Sequence, residues 1–448
     1  MKFSIKRLFG SSVGVFFTGF AFLSICAFWQ MYDAVMPKIL TNTFAIPETA
    51  SGVIMALDNV AAVFLLPIFG SISDRCRSPL GKRRPFILYG TLSAVILMIA
   101  MPLLDNSYYR APAGWKLVAF IVVLGLTLIA MGTYRSPAVA LMPDITPKPY
   151  RSFANAVINF MGAVGGVVYL AAAAILYPAS KASEHTNYLP VFAVIAFTMI
   201  IALFVVMTFV NEPKLAAKQA EYEAEHPEEN IAEDDGDKKK ALPKPVRKSL
   251  ALLLLSIAFW FVGYNGVTTW FTKFAEEMWN MNDGPAATCF MIATVGAILS
   301  YFVVGIVSSA VGRKKTIMFG VILLGSCFTA GFIYTLFFHE FHVFLYGLFA
   351  LVGVAWASIN VNSLPMVVEM CKGSDIGKFT GLYYTFSMSA QIITPILAGA
   401  LVQYIGYKYL FLYSAVFVGL AFVTMLGVKH GDSKIIEKRG FETFDMED

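Results

Sequence analysis

Three ionisable side chains stand inside long apolar runs of this chain: Asp33, Asp58 and Arg135. A charge placed in hydrocarbon costs about 3 kcal/mol or more unless it faces a partner or a wet cavity, so each is a candidate for chemistry. Asp33 lies roughly seven residues, and Asp58 roughly eight, from the same end of their runs, which at ~1.5 Å per residue puts them at similar depth. Two carboxylates held together where solvation is poor cannot both ionise cheaply, so such a pair can share or pass a proton. The competing reading is that they cap or pair structurally. Asp58 is the stronger candidate for proton coupling, and Asp33 for coupling or for accepting hydroxyl donors, with Asn59 beside them. Arg135 sits ~15 Å deeper by the same rise. It has two open roles. It can bind hydroxyls together with Asn155 and Asn159, which share a helix face at i and i+4, or it can join Asp144 in a gate.

Two further runs carry polar and aromatic stripes. In "FWFVGYNGVTTWF" (259–271), Trp260, Tyr264, Asn265, Thr268, Thr269 and Trp270 alternate with Gly263 and Gly266, which let a helix bend. Tyr383, Tyr384, Ser387 and Gln391 form a second stripe, and Gln391 is the one nearest midspan. Aromatic faces with amides and hydroxyls suit a ligand that offers C–H faces and many hydroxyls. An aromatic helix packed in lipid is the plainer explanation. Neither a nucleophile–base constellation nor a phosphate-binding G-x-x-x-x-G-K-[ST] is present. No enzyme chemistry, cofactor, ATP drive or nucleic-acid partner is therefore expected. His339 and His342 are spaced H-x-x-H with no third ligand near in sequence, which favours surface residues over a metal site.

The elements that must position these residues follow from composition. The 448 residues are 58% hydrophobic and only 14% charged, too little charge to cover a soluble surface of that size. Apolar runs of about 20 residues recur, each long enough to cross a bilayer. Twelve spans are expected, at 12–40, 49–72, 85–104, 115–142, 152–177, 188–210, 249–275, 285–310, 315–338, 342–369, 378–403 and 407–428. The fold class is an all-α membrane protein. Loops 73–84, 143–151, 211–248, 311–315 and 371–377 hold nearly all the loop Lys and Arg. By the positive-inside rule both termini are then cytosolic, in a cell membrane. The N-terminal run continues too far for a cleaved signal peptide and is expected to be an uncleaved first helix. The five cysteines are odd in number and show no C-x-x-C, against a disulfide framework. Segment 211–248, acidic and then basic, cannot bury a core and divides residues 1–210 from 249–430, with a tail at 431–448.

The two halves repeat each other. Gly70-x-x-x-Asp74-Arg75 with Gly81-Lys82-Arg83-Arg84 is answered by Gly305-x-x-x-Ser309 with Gly312-Arg313-Lys314-Lys315. "YRSPAVALMPD" (134–144) is answered by "INVNSLPMVVE" (359–369), which pairs Asp144 with Glu369 and Arg135 with Asn360. These motifs resemble the major facilitator superfamily. The longer string "SDRCRSPLGKRRPFI" (73–87), with "ALMPDITPKPYRSFANAVINFMG" (140–162), resembles bacterial members of its sucrose/proton symporter branch, related to the glycoside–pentoside–hexuronide carriers.

The resemblance implies two six-helix bundles with a substrate site between them near midplane. It also implies a gate near the basic loops made by Asp74, Arg75, Arg83, Asp144, Arg151 and Glu369. Leu128 and Val139 stand where plant carriers have Asp and Arg, and Leu66 and Ala62 where melibiose carriers have carboxylates. A sodium site of the melibiose type is thus not expected. The expected function is proton-coupled symport of a disaccharide or glycoside by a monomer, through Asp58, Asp33, Asn59, Arg135, Asn155, Asn159, Tyr264, Asn265, Thr268, Asn360 and Gln391. The alternatives are an ion-coupled exporter of an amphipathic solute, or a membrane sensor that does not transport.

Overall fold

A computed structural model describes residues 5–146, 151–177, 185–225, 243–370 and 376–432. Twelve of its helices are long and apolar enough to cross a membrane. The first half contains α1 (Ile5–Lys38), α2 (Glu48–Asp74), α3 (Arg84–Arg110), α4 (Gly114–Asp144), α5 (Arg151–Leu176) and α6 (Leu189–Phe209). A short helix α7 (Glu212–Glu225) follows. The second half contains α8 (Lys244–Trp279), α9 (Asp283–Val311), α10 (Arg313–Phe337), α11 (Phe344–Val368), α12 (Ile376–Tyr404) and α13 (Leu410–Leu426).

Leu, Ile, Val, Phe and Ala fill these runs, and inside hydrocarbon a helix is the way a single segment satisfies its own backbone. Breakers set the ends. α3, α6 and α8 each carry a proline in the first turn, where no amide hydrogen is needed. Gly81 and Gly312 occupy φ +111° and +104° just before α3 and α10, a region that suits glycine. α1 runs on past Lys38 into a π-helical turn at Ile39–Thr43.

Helix contacts repeat with an offset of one half. α1 packs on α5 and α6, and α8 packs on α12 and α13. α2 packs on α4, and α3 on α4 and α6; α9 packs on α11, and α10 on α11 and α13. The halves meet through α1 with α8, α2 with α12, and α5 with α9. Exchanging the halves maps the last two pairs onto each other, so the bundles are related by a pseudo-twofold axis. The second bundle is cored by aromatic rings: Phe271, Phe274, Trp279 and Phe411 are all buried and stack within 6.4 Å of one another.

Candidate functional site

α1, α2 and α4 bring the expected ionisable residues into one cluster. Trp29 and Asp33 are one turn apart on α1, with Tyr32 beside them. Asp58 accepts the backbone N–H of Asn59 at 2.5 Å and its side-chain amide at 2.9 Å. It interacts electrostatically with both Asp33 and Arg135. The Arg135 guanidinium lies 5.8 Å from the Trp29 ring centroid, a cation–π arrangement. Arg135 is thus close enough to Asp58 for their charges to interact. The Asp144 carboxylate, the alternative partner of Arg135, receives Arg83 here.

The facing half supplies aromatic and amide groups. Tyr264 of α8 stacks on Trp356 of α11 with centroids 3.8 Å apart and planes 10° apart. Phe261 meets the same tryptophan edge-on at 5.3 Å. The Asn360 side chain, one turn after Trp356, hydrogen-bonds Tyr301 of α9. Thr268 donates to the Asn265 carbonyl at 3.2 Å, and Gln391 makes a long bond to the Ser387 carbonyl at 3.4 Å. Trp260 and Trp270 leave the set of ligand candidates: both are fully buried in packing, and Trp270 donates to the Pro395 carbonyl. Asn159 is exposed and engaged in an interaction. The side chains of Asn155 and Arg151 lie outside the described residues.

Several donors of the same helices are buried without a partner. Trp29 Nε1, Tyr32 Oη and Asn265 Nδ2 have no protein hydrogen-bond partner. A buried polar group left unpaired costs about 1–3 kcal/mol. With Trp260 Nε1 and Trp279 Nε1, five such donors sit on α1 and α8, the helices that touch across the interface between the halves.

At the arginine-rich end each half is tied by the same device. Arg83 bonds Asp74, Asp144 at 2.7 Å, Ser73 Oγ at 2.5 Å and the Gly70 carbonyl at 3.3 Å. Burial alone would lower the Arg83 pKa. The hydrogen bond and charge of Asp144, and then Asp74, outweigh it and hold the guanidinium above its ordinary value. Arg313 pairs with Glu369 in the other half. Arg75 is exposed. Among the described residues the side-chain partners of Arg83 and Asp74 all lie in the first half, where the motif braces one bundle.

The family model described as Major Facilitator Superfamily matches residues 18–286 and 279–444. The chain belongs to the major facilitator superfamily. It is similar to the sucrose transport protein SUT3 of Oryza sativa subsp. indica, 29% identical over 152 residues, which cover 31% of this chain and 30% of that protein. It is also similar to the sucrose transport protein SUC3 of Arabidopsis thaliana, 30% identical over 158 residues, which cover 33% and 26%. The match thus spans between about a quarter and a third of the length of these relatives. Among solved structures it superposes on the inward open conformation of the xylose transporter XylE from E. coli. That TM-score is 0.65, at 13% identity over 95% of this chain and 97% of the other, a likeness of fold.

In this major facilitator transporter the fold groups residues that reading the sequence left out. Trp29 and Trp356 each stand one turn from a selected polar residue, Asp33 and Asn360, and that i, i+4 spacing is the signal that finds them. Tyr32 and Tyr301 join the same two groups. Glu212 and Asp432 are less visible. Glu212 accepts backbone N–H groups from Lys82 at 2.7 Å, Arg83 at 3.0 Å and Arg84 at 3.1 Å, an anion at a helix N-terminus. Asp432 accepts the Arg313 N–H at 2.7 Å in the matching place. Each acid follows the sixth span of its half and fixes the arginine that begins or precedes the third. Only the fold brings those positions together.

Proposed function

We propose that this protein is a secondary active transporter that couples protons to symport of a sugar of the disaccharide or glycoside class by alternating access. The observation that carries the reading is the cluster Asp33–Asp58–Arg135 with Trp29 and Tyr32. It is a charged, donor-rich group inside the spans of the first half, whose helix α1 meets α8, the helix of Tyr264 and Asn265, at the bundle interface. Sugar hydroxyls are acceptors for the unpaired donors of Trp29, Tyr32 and Asn265, and sugar C–H faces suit the indole rings. Asp58 is the coupling group, and Asp33 accepts hydroxyls or shares the proton. Arg135, Asn59, Asn159, Thr268, Asn360 and Gln391 complete the site.

Similarity to sucrose transport proteins supports the substrate class. The Lys/Arg bias of the loops supports a cytosolic arginine-rich end, with the two bundles at 1–210 and 249–430 joined through the cytosol, acting as a monomer in the cell membrane. In that orientation the cytosolic gate comprises Asp74, Arg75, Arg83, Asp144, Arg151 and Glu369. The test is uptake of a labelled sugar panel by proteoliposomes, with and without an imposed proton gradient. Gradient-dependent accumulation of one glycoside class is expected. Absence of uptake across the panel, or uptake indifferent to the gradient, refutes the reading.

A further inference from the structure

At the end opposite the arginine-rich loops the two halves are joined by a pair of matching hydrogen-bonded latches related by the pseudo-twofold axis, beside unpaired inter-half bonds such as that from Thr272 to the Ala34 carbonyl at 2.8 Å. Asp283 opens α9, the second span of its half. Its Oδ2 accepts the hydroxyl of Tyr188 at 3.1 Å, and Tyr188 immediately precedes the sixth span of the other half. The next residue, Gly284, donates its N–H at 2.9 Å to the carbonyl of Tyr177, just past the end of α5. Glu48 opens α2 and stands in the matching place. Its Oε1 accepts the hydroxyl of Tyr407 at 3.0 Å, and Tyr407 precedes α13. The next residue, Thr49, donates its N–H at 2.9 Å to Gln403 Oε1, near the end of α12. Each latch is therefore an acid gripped by a tyrosine, with the following amide bound to a fifth span.

The copies differ in charge. Lys38, at the end of α1 and 4% exposed, places its ammonium 2.6 Å from Asp283 and 3.1 Å from Glu276 of α8. The corresponding lysine near the end of α8, Lys273, turns to Glu277 of its own helix at 2.6 Å and to Asn42 at 2.5 Å. No lysine within 4.0 Å reaches Glu48 among the described residues. The Asp283 latch is thus a buried ion pair with a hydroxyl bond added. The Glu48 latch is a hydroxyl bond on a half-buried carboxylate. Bonds between two ionised groups are the stronger kind, and removing one partner of a buried pair is strongly destabilising.

We propose that these two latches form the gate at that end, and that they release in order: the α2/α12 seam first, and the α5/α9 seam, held by Lys38, last. This rests on the alternating-access reading, in which the halves must part here once per cycle. Lys38 and Asp283 are positioning residues that set how often the end opens.

Hydrogen–deuterium exchange of the full chain in lipid nanodiscs tests the order without any substrate. Tyr407→Phe is expected to speed exchange at the start of α2 and the end of α12 several-fold and, because the last seam opens only after the first, to speed the start of α9 and the end of α5 by a similar factor. Lys38→Met is expected to raise exchange at the start of α9 and the end of α5 by roughly ten-fold or more, since losing a buried partner is costly, while the start of α2 and the end of α12 change little. Lys38→Arg is expected to restore protection. Asp283→Asn keeps the side-chain volume and must reproduce the α9/α5 pattern even if Lys38→Met folds poorly. A Tyr407→Phe effect confined to the α2/α12 seam, or unchanged exchange in Asp283→Asn, overturns the proposal. Because no sugar is present, a failed sugar assay leaves this result standing, and failure here leaves the substrate reading untouched.

Discussion

Replacing Asp58 by Asn removes one titratable group and almost nothing else. The amide oxygen can still accept the backbone and side-chain N–H groups of Asn59, which now approach at 2.5 and 2.9 Å, so the local turn of α2 is expected to hold. What disappears is the negative charge that interacts with Arg135 and Asp33 and the proton that can move on and off it. One pH unit is worth about 1.4 kcal/mol per proton. With one proton per sugar, an imposed gradient of about 2 units then sustains a concentration ratio of up to ~100-fold in the parent, since each 1.4 kcal/mol is ten-fold. In Asp58→Asn the ratio is expected to fall to about 1, because no driving free energy enters the cycle. Exchange of internal for external sugar is expected to persist within several fold, since exchange needs the loaded carrier to reorient and not to release its proton. The assay is proteoliposomes loaded with labelled sugar, run once with a pH step and once with unlabelled sugar outside. Accumulation at the parental ratio in Asp58→Asn refutes the assignment. If Asp33→Asn alone collapses the ratio, the coupling role belongs to Asp33.

Other expectations follow from the same geometry. Asp74→Asn removes the charge of an exposed acceptor of Arg83 (its side chain is 60% accessible) and is expected to slow turnover several-fold while equilibrium sugar binding changes little, as initial-rate and binding measurements can separate. Glu212→Ala strips the acceptor from three backbone amides and is expected to cost ~1–3 kcal/mol of stability, read as a lower Tm with Glu212→Gln in between. Trp356→Ala removes the partner of Tyr264 and is expected to weaken sugar binding about ten-fold or less, given ~0.5–1.5 kcal/mol for an aromatic pair beyond its area, measured by calorimetry. Burial lowers the His185 pKa below 6.5, so the folded ring favours neutrality. Stability is then expected to be full above pH 6.5 and to decline as pH falls below it, because the unfolded chain binds the proton first. In His185→Gln the Tm should lose that part of its pH dependence.

What the sequence determines by itself is whatever depends on runs and repeats. Twelve apolar stretches of spanning length, a basic bias in alternate loops and two copies of one loop motif specify a twelve-helix repeat, because hydrocarbon leaves a single segment few options other than a helix. Charges within those runs mark Asp33, Asp58 and Arg135, since their cost in lipid demands a reason. Tertiary structure decides which of them meet. Arg135 stands over Trp29 within electrostatic range of Asp58, while Asp144 goes to Arg83, and nothing in residue spacing distinguishes the two outcomes. The aromatic stripe of α8 shows the same limit. Trp260 and Trp270 share the composition of Tyr264, yet the rotation of the helix against α12 and α13 buries both tryptophans and turns Tyr264 toward Trp356. Lys38, Asp283, Tyr188, Glu48 and Tyr407 lie at span ends, where polar residues are ordinary. Their pairing depends on helix ends separated by up to 359 positions in the chain, brought side by side only when the two halves pack about their pseudo-twofold axis.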